Sequence, residues 1–121
     1  MTKTESLYKG NSAVSRMRID SIYSTQMIDA CHIVPFSVNQ NDSVNNGIAL
    51  CPNLHRAFDR GLISVDDNYR VLVSQEFTES ETHPYSIRKL RGTKILLPFG
   101  EKNYPARENF KWHRDHVFRN S

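Results

Sequence analysis

Apolar and polar positions along the chain alternate in short runs that predict small elements. From Val14 to Ile22 the run VSRMRIDSI alternates, with Met17 and Ile19 apolar and Arg18 polar, the period of a half-buried strand. QMIDACHIV, ending at Pro35, predicts a second strand. FSVNQNDSVNN follows, rich in Asn, Asp and Ser: loop chemistry, but long for an idle connection. Gly47 opens the apolar run GIALC, a short strand. In CPNLHRAFDRG, Pro52 suits the first turn of a helix and Gly61 the position just past its end. Leu54 and Phe58, four apart, give that short helix its apolar face. LISVD and YRVLVS flank Asp67 and Asn68, a turn pair that predicts a hairpin. The region from Glu76 to Pro84 is polar and irregular, and KILLP, residues 94–98, predicts one more strand. After Pro105, near-helical spacing of Phe110, Trp112 and Val117–Phe118 predicts a C-terminal helix with those residues packing inward.

These elements predict a small α+β domain over residues 13–121, preceded by a polar, poorly ordered segment, residues 1–12. A length of 121 residues with 38% hydrophobic content suits one modest core rather than two. No apolar run approaches the roughly 18 residues of a membrane span, and MTKTESLYKGNS lacks the apolar stretch of a secretory signal. Two cysteines, Cys31 and Cys51, are too few for a disulfide framework, so the chain is expected to be intracellular and both thiols small, buried and reduced. The net charge of +3 is unevenly spread: residues 84–121 hold nine Lys and Arg against three acids, residues 21–83 three against eight. A carboxylate-rich middle beside a basic tail fits a metal-bearing centre next to a phosphate-binding surface, or a merely solvated tail.

Three polar groups carry candidate chemistry: His32 closing a strand, Asn46 late in the long loop, and His55 on the short helix. Strand, loop, strand and helix in that order can fold back and bring the two imidazoles together. His55 and Asp59, at i and i+4, share a helix face with Arg56 and Arg60 beside them. Strand alternation puts Asp29 and Cys31 on one face and His32 on the other, so a twist or bulge is expected if all serve one site. His113 and His116 read as surface histidines. Arg88, Lys89, Arg91 and Lys94 form the densest basic patch, open to a reading as phosphate contacts or as solvated surface.

"DACHIVPFS … NNGIALCPNLHRAFDRGLISVD" resembles the HNH nuclease family, in the branch of restriction-type endonucleases. KILLP and NFKWHRDHVF are similar to the ending of that branch, so the resemblance spans roughly residues 26–119. It implies a ββα-metal (His-Me finger) core over about residues 26–62, with an added hairpin and C-terminal helix. It further implies hydrolysis of DNA phosphodiester bonds with one divalent cation, Mg2+ or Mn2+, with Zn2+ or Ni2+ as alternatives. Carried onto this sequence, His32 is the general base, Asn46 holds its ring, and His55 with Asp59 binds the metal. Where many relatives place a metal-binding Asp or His, this chain has Cys31, preceded by Ala30, so Asp29 is the substitute ligand. Arg56, Arg60, Arg88, Lys89, Arg91 and Lys94 become DNA contacts. The four-cysteine structural zinc of many relatives cannot form from two cysteines. Expected partners are DNA and either a second copy or a recognition domain in a longer protein, in a role of restriction or defence. Two alternatives remain: a DNA-binding module without turnover, and a zinc-stabilised interaction domain using Cys31, Cys51 and His55.

Overall fold

The computed structural model describes residues 13–14, 29–75 and 87–119. The expected N-terminal disorder, most of the first predicted strand and the 76–84 region lie outside the described residues. Two antiparallel strands open the described fold, β1 (Asp29–His32) and β2 (Gly47–Leu50), paired from Asp29↔Leu50 to His32↔Gly47. The loop between them is not wholly irregular. Pro35 starts a single helical turn, α1 (Phe36–Asn39), and a 3-10 turn covers Val44–Asn46. No helical stripe marks that turn in the sequence, since Phe36 and Val38 lie two apart and none of its residues is buried.

Helix α2 (Pro52–Asp59) follows β2 directly and completes a ββα unit. Pro52 occupies its first turn as the sequence predicts. Gly61, at φ 78°, ends it: the Gly61 amide donates to the Phe58 carbonyl and the Leu62 amide to that of Ala57. A Cβ at this glycine would lie 2.0 Å from the Val117 carbonyl oxygen, so the C-terminal tail closes on a position only glycine fits. The predicted hairpin is present as β3 (Ile63–Val65) and β4 (Val71–Val73). The Asp66 carboxylate shapes its turn by accepting from the amides of Asn68 and Arg70.

KILLP forms no strand. One bridge joins Lys94 to Arg70, after which the Ile95 amide donates to Tyr69 and the Leu96 amide to Ala13. Serving two different partners prevents a ladder. Helix α3 (Arg107–His116) starts after Pro105 as predicted and packs on β3. Leu50, Leu54 and Phe58 from the ββα unit, Ile63, Val65 and Val71 from the hairpin, and Phe110 from α3 make one continuous core. Burying a side chain of this size is worth roughly 1.5–3 kcal/mol. Phe110 is fully buried, whereas Trp112 and Phe118 are only half-buried. Among the described residues, no helix is long and apolar enough to cross a membrane.

His113 is not on the surface. It is 1% exposed and stacks on Phe58 with ring centroids 3.7 Å apart. Its Nε2 lies 2.7 Å from the Phe58 carbonyl, which only accepts, so Nε2 carries the proton. Nδ1 therefore accepts from the Ser64 hydroxyl at 2.7 Å. One neutral tautomer thus ties α3 to α2 and β3. Burial, aided by the nearby Arg114 charge and opposed by the Phe58 hydrogen bond, lowers the ring's pKa from 6.5 to about 4.

A base whose folded pKa is depressed stabilises the fold fully above its ordinary value and loses that contribution as pH falls. Urea unfolding from pH 7 to pH 4 should show a stability loss beginning near 6.5 and continuing towards 4. Its size is about 3 kcal/mol, at about 1.4 kcal/mol per tenfold change in proton affinity. A His113→Gln chain, unable to titrate there, should show a flatter profile.

Candidate active site

His32 stands at the C-terminal end of β1 with its side chain 40% exposed. The uninterrupted β1–β2 register shows that no bulge turns it. Its position at the strand end lets it lean toward the loop instead. There its Nε2 lies 2.8 Å from the Asp42 carboxylate, and its ring centroid 5.8 Å from that of Phe36. A carboxylate accepts, so this contact places a proton on Nε2 and leaves the Nδ1 lone pair free in the neutral ring. Asp42 escaped sequence reasoning because one acid in an Asn-rich loop looks the same as a solvated one.

Asn46 is fully buried. Its Oδ1 accepts from the Val34 amide at 2.9 Å, and its Nδ2 donates to the carbonyls of Val34 and Asn41, both at 2.9 Å. The side chain is thus committed to backbone at both ends of the 34–41 segment rather than to the His32 ring. It fixes the loop that carries Phe36 and leads to Asp42, and acts on His32 through that loop. Its neighbour Asn45 reaches the other way, donating to the carbonyls of Lys102 and Tyr104.

On α2 the apolar stripe of Leu54, Ala57 and Phe58 faces the core, leaving His55 and Asp59 on the adjoining stripe. His55 Nδ1 lies 2.9 Å from Asp29 Oδ2, and its Nε2 3.0 Å from Asp59 Oδ2. One imidazole therefore sits between two carboxylates, one from β1 and one from its own helix. A cleft lined by His32, Phe36, His55 and Asp59 opens on one side. A second, lined by Asp29, His55, Arg56, Asp59 and Arg60, opens on the other. His55 and Asp59 belong to both, so the two imidazoles and the carboxylates form one continuous site. Arg56 and Arg60 are exposed at its rim.

Two carboxylates and an imidazole suit a hard or borderline divalent cation by donor type. As arranged, the carboxylates sit at opposite ring nitrogens, and no three donors converge among the described residues. Holding one ion with all three takes a side-chain turn that exchanges a ring contact for a metal contact. Cys31 is a poor alternative ligand. Burial, with the charges of Asp59 and Asp29 adding to it, pushes its thiol well above the ordinary cysteine range, so the thiolate is suppressed. Cys31 and Cys51 are both buried in the core and in no disulfide, and the Cys51 thiol donates to the Asn53 side-chain oxygen.

The basic patch stands apart. Arg88 and Lys89 lie on a 3-10 turn (Ile87–Leu90) packed near β4, with Arg91 and Lys94 exposed just after it. None of the four lines either cleft. The structure thus brings together Asp29, His32, His55, Arg56, Asp59 and Arg60, and adds Asp42 and Phe36.

Residues 12–66 match a protein family described as HNH endonuclease. No curated protein matches the chain. Among solved structures, the fold is similar to one titled "Modification dependent TagI restriction endonuclease", with a TM-score of 0.68 at 18% identity. The likeness covers 94% of this chain and 35% of that one, so this chain spans about a third of that protein's length. The family match spans less than half of this chain, and the structural likeness, at 18% identity, carries the fold alone.

Because Asn46 satisfies two buried backbone groups and one part-buried carbonyl, Asn46→Ala should cost about 3 kcal/mol in urea unfolding, at roughly 1–3 kcal/mol per orphaned group with partial relaxation. Asn46→Asp should not restore it, since a carboxylate cannot donate to the carbonyls of Val34 and Asn41. A loss under about 1 kcal/mol for Asn46→Ala would mean the loop holds without the amide.

Proposed function

We propose that this HNH-type domain is a metal-dependent endonuclease that hydrolyses DNA phosphodiester bonds, with His32 as general base and Asp29, His55 and Asp59 as the cation site. The observation that carries the proposal is the shared site: His32 and His55 line one cleft, and both carboxylates meet the His55 ring. When bound, a divalent cation, Mg2+ or Mn2+ first, supplies Lewis-acid charge to the scissile phosphate and the departing 3′ oxygen.

The chain's own residues do the rest. Asp42 accepts from His32 Nε2, which leaves Nδ1 of the neutral ring to take a proton from the attacking water. The water oxygen bonds to phosphorus, the P–O3′ bond breaks, and the 3′ oxygen leaves with a proton from solvent. Products are a 5′-phosphate and a 3′-hydroxyl. Arg56 and Arg60 bind phosphates flanking the scissile one, as guanidinium forks do. Arg88, Lys89, Arg91 and Lys94 extend that backbone contact beyond the site. Asn46 supports His32 by holding the loop.

Restriction or defence against foreign DNA fits the reading. Recognition of sequence or modification is assigned to a further domain or a second copy, because the likeness to the restriction enzyme reaches only a third of that protein. A DNA-binding module without turnover is the competing reading, favoured by the placement of the two carboxylates at opposite ring nitrogens of His55.

Plasmid nicking with Mg2+ or Mn2+ tests the proposal. His32→Ala should lower the rate by roughly 10²–10⁴-fold with the thermal melt unchanged. Asp42→Ala should lower it by about fivefold, the worth of an exposed ion pair near 1 kcal/mol. Chelation should abolish nicking. Full activity in the His32→Ala chain would overturn its role. Salt-sensitive binding with no nicking under any divalent cation would identify the module without turnover.

A further inference from the structure

Three large hydrophobic side chains are exposed among the described residues: Phe36 at 49%, Val38 at 54% and Phe99 at 89%. Of these, Phe36 lines the cleft that holds His32, His55 and Asp59. We infer that the Phe36 ring stacks on a nucleobase flanking the scissile phosphate, so that the site takes a nucleotide drawn out of its base stack. This inference rests on the nuclease reading and names a substrate contact within it.

The ring does not fasten α1 to the core, because none of that helix's residues is buried. The segment is held by other means. Asn46 ties Val34 and Asn41, and the Gln40 amide closes the turn on the Phe36 carbonyl. The exposed face is therefore presented by a pre-ordered segment, and a ligand that covers it pays little to organise it. On one side the ring meets His32, centroids 5.8 Å apart and tilted by 54°, which leaves its other surface toward the cleft and solvent.

The chemistry around the ring selects the ligand. Arg56 and Arg60 suit phosphates at the far side of the site, while His32 suits the water that attacks one. A base lies within one nucleotide step of its phosphate, so a strand held by the arginines brings a base to the apolar wall beside His32. Every base has a π-face, so the contact tolerates sequence and favours unstacked nucleotides over an intact duplex. Val38 and Phe99 line neither cleft and serve as comparisons.

The test is a binding titration of the full chain with labelled single-stranded and duplex oligonucleotides in EDTA, with nicking assayed in parallel. Phe36→Ala should weaken single-strand binding by about tenfold, within the range for one lost base stack. Phe36→Leu, which keeps apolar bulk, should lose nearly as much. Phe36→Trp should retain affinity, and its added indole should be quenched by DNA above the Trp112 background. Phe99→Ala should stay within twofold. Leucine binding as well as phenylalanine, or equal losses at positions 36 and 99, would overturn the inference. So would unchanged binding with slower nicking in Phe36→Ala, because the ring would then merely buttress His32. Failure of the unaltered chain to nick DNA under any cation would instead count against the nuclease reading, and the binding contrast would still be legible.

Discussion

The buried amide of Asn46 is the interaction on which the site depends. It lies where β2 begins, and its three hydrogen bonds run to the far side of the loop, at Val34 and Asn41. A loop of mostly exposed polar residues has little apolar burial to order it, and its backbone entropy opposes any single conformation. Satisfying three backbone groups in a water-free position supplies that order. Without it the loop keeps its local turns, including the bonds from the amides of Asn41 and Ser43 to the side chains of Asn39 and Asn41, but loses the tie that joins Val34 to Asn41.

A second constraint comes from the core side. Helix α2 presents two stripes at once, and burial of Leu54 and Phe58 decides where His55 and Asp59 point. Phe58 is itself held by the stacked, neutral His113, so α3 helps to set the angle of the site helix. Gly61 lets the chain turn sharply into the hairpin while the C-terminal tail passes over it, with the Arg119 amide donating to the Gly61 carbonyl. Core packing and site geometry are thus two readings of one short helix.

Much of this was legible in the sequence. Pro52 and Gly61 bracket α2, Asp67–Asn68 sits in the hairpin turn, and Pro105 precedes α3, because each of these residues restricts the backbone locally. His32 and His55 were legible as candidates by spacing within a family resemblance, and the fold brings them to one cleft. What stayed hidden depends on distant partners. His113 is buried because Phe58 and Ser64, about fifty positions earlier, offer a ring face, a carbonyl and a hydroxyl. KILLP reads as a strand, yet its amides divide between Tyr69 and Ala13. Asp42 matters only because the loop folds back on His32, and Asn46 acts on backbone, which no side-chain pattern displays.

The central claim, that one cation site serves both imidazoles, is tested most directly by Mn2+ titration of the full chain, followed through the histidine ring C–H resonances. Paramagnetic broadening should appear first at His55 and next at His32. Equal broadening of the two rings, or a His55 signal that survives saturating Mn2+, would contradict the account.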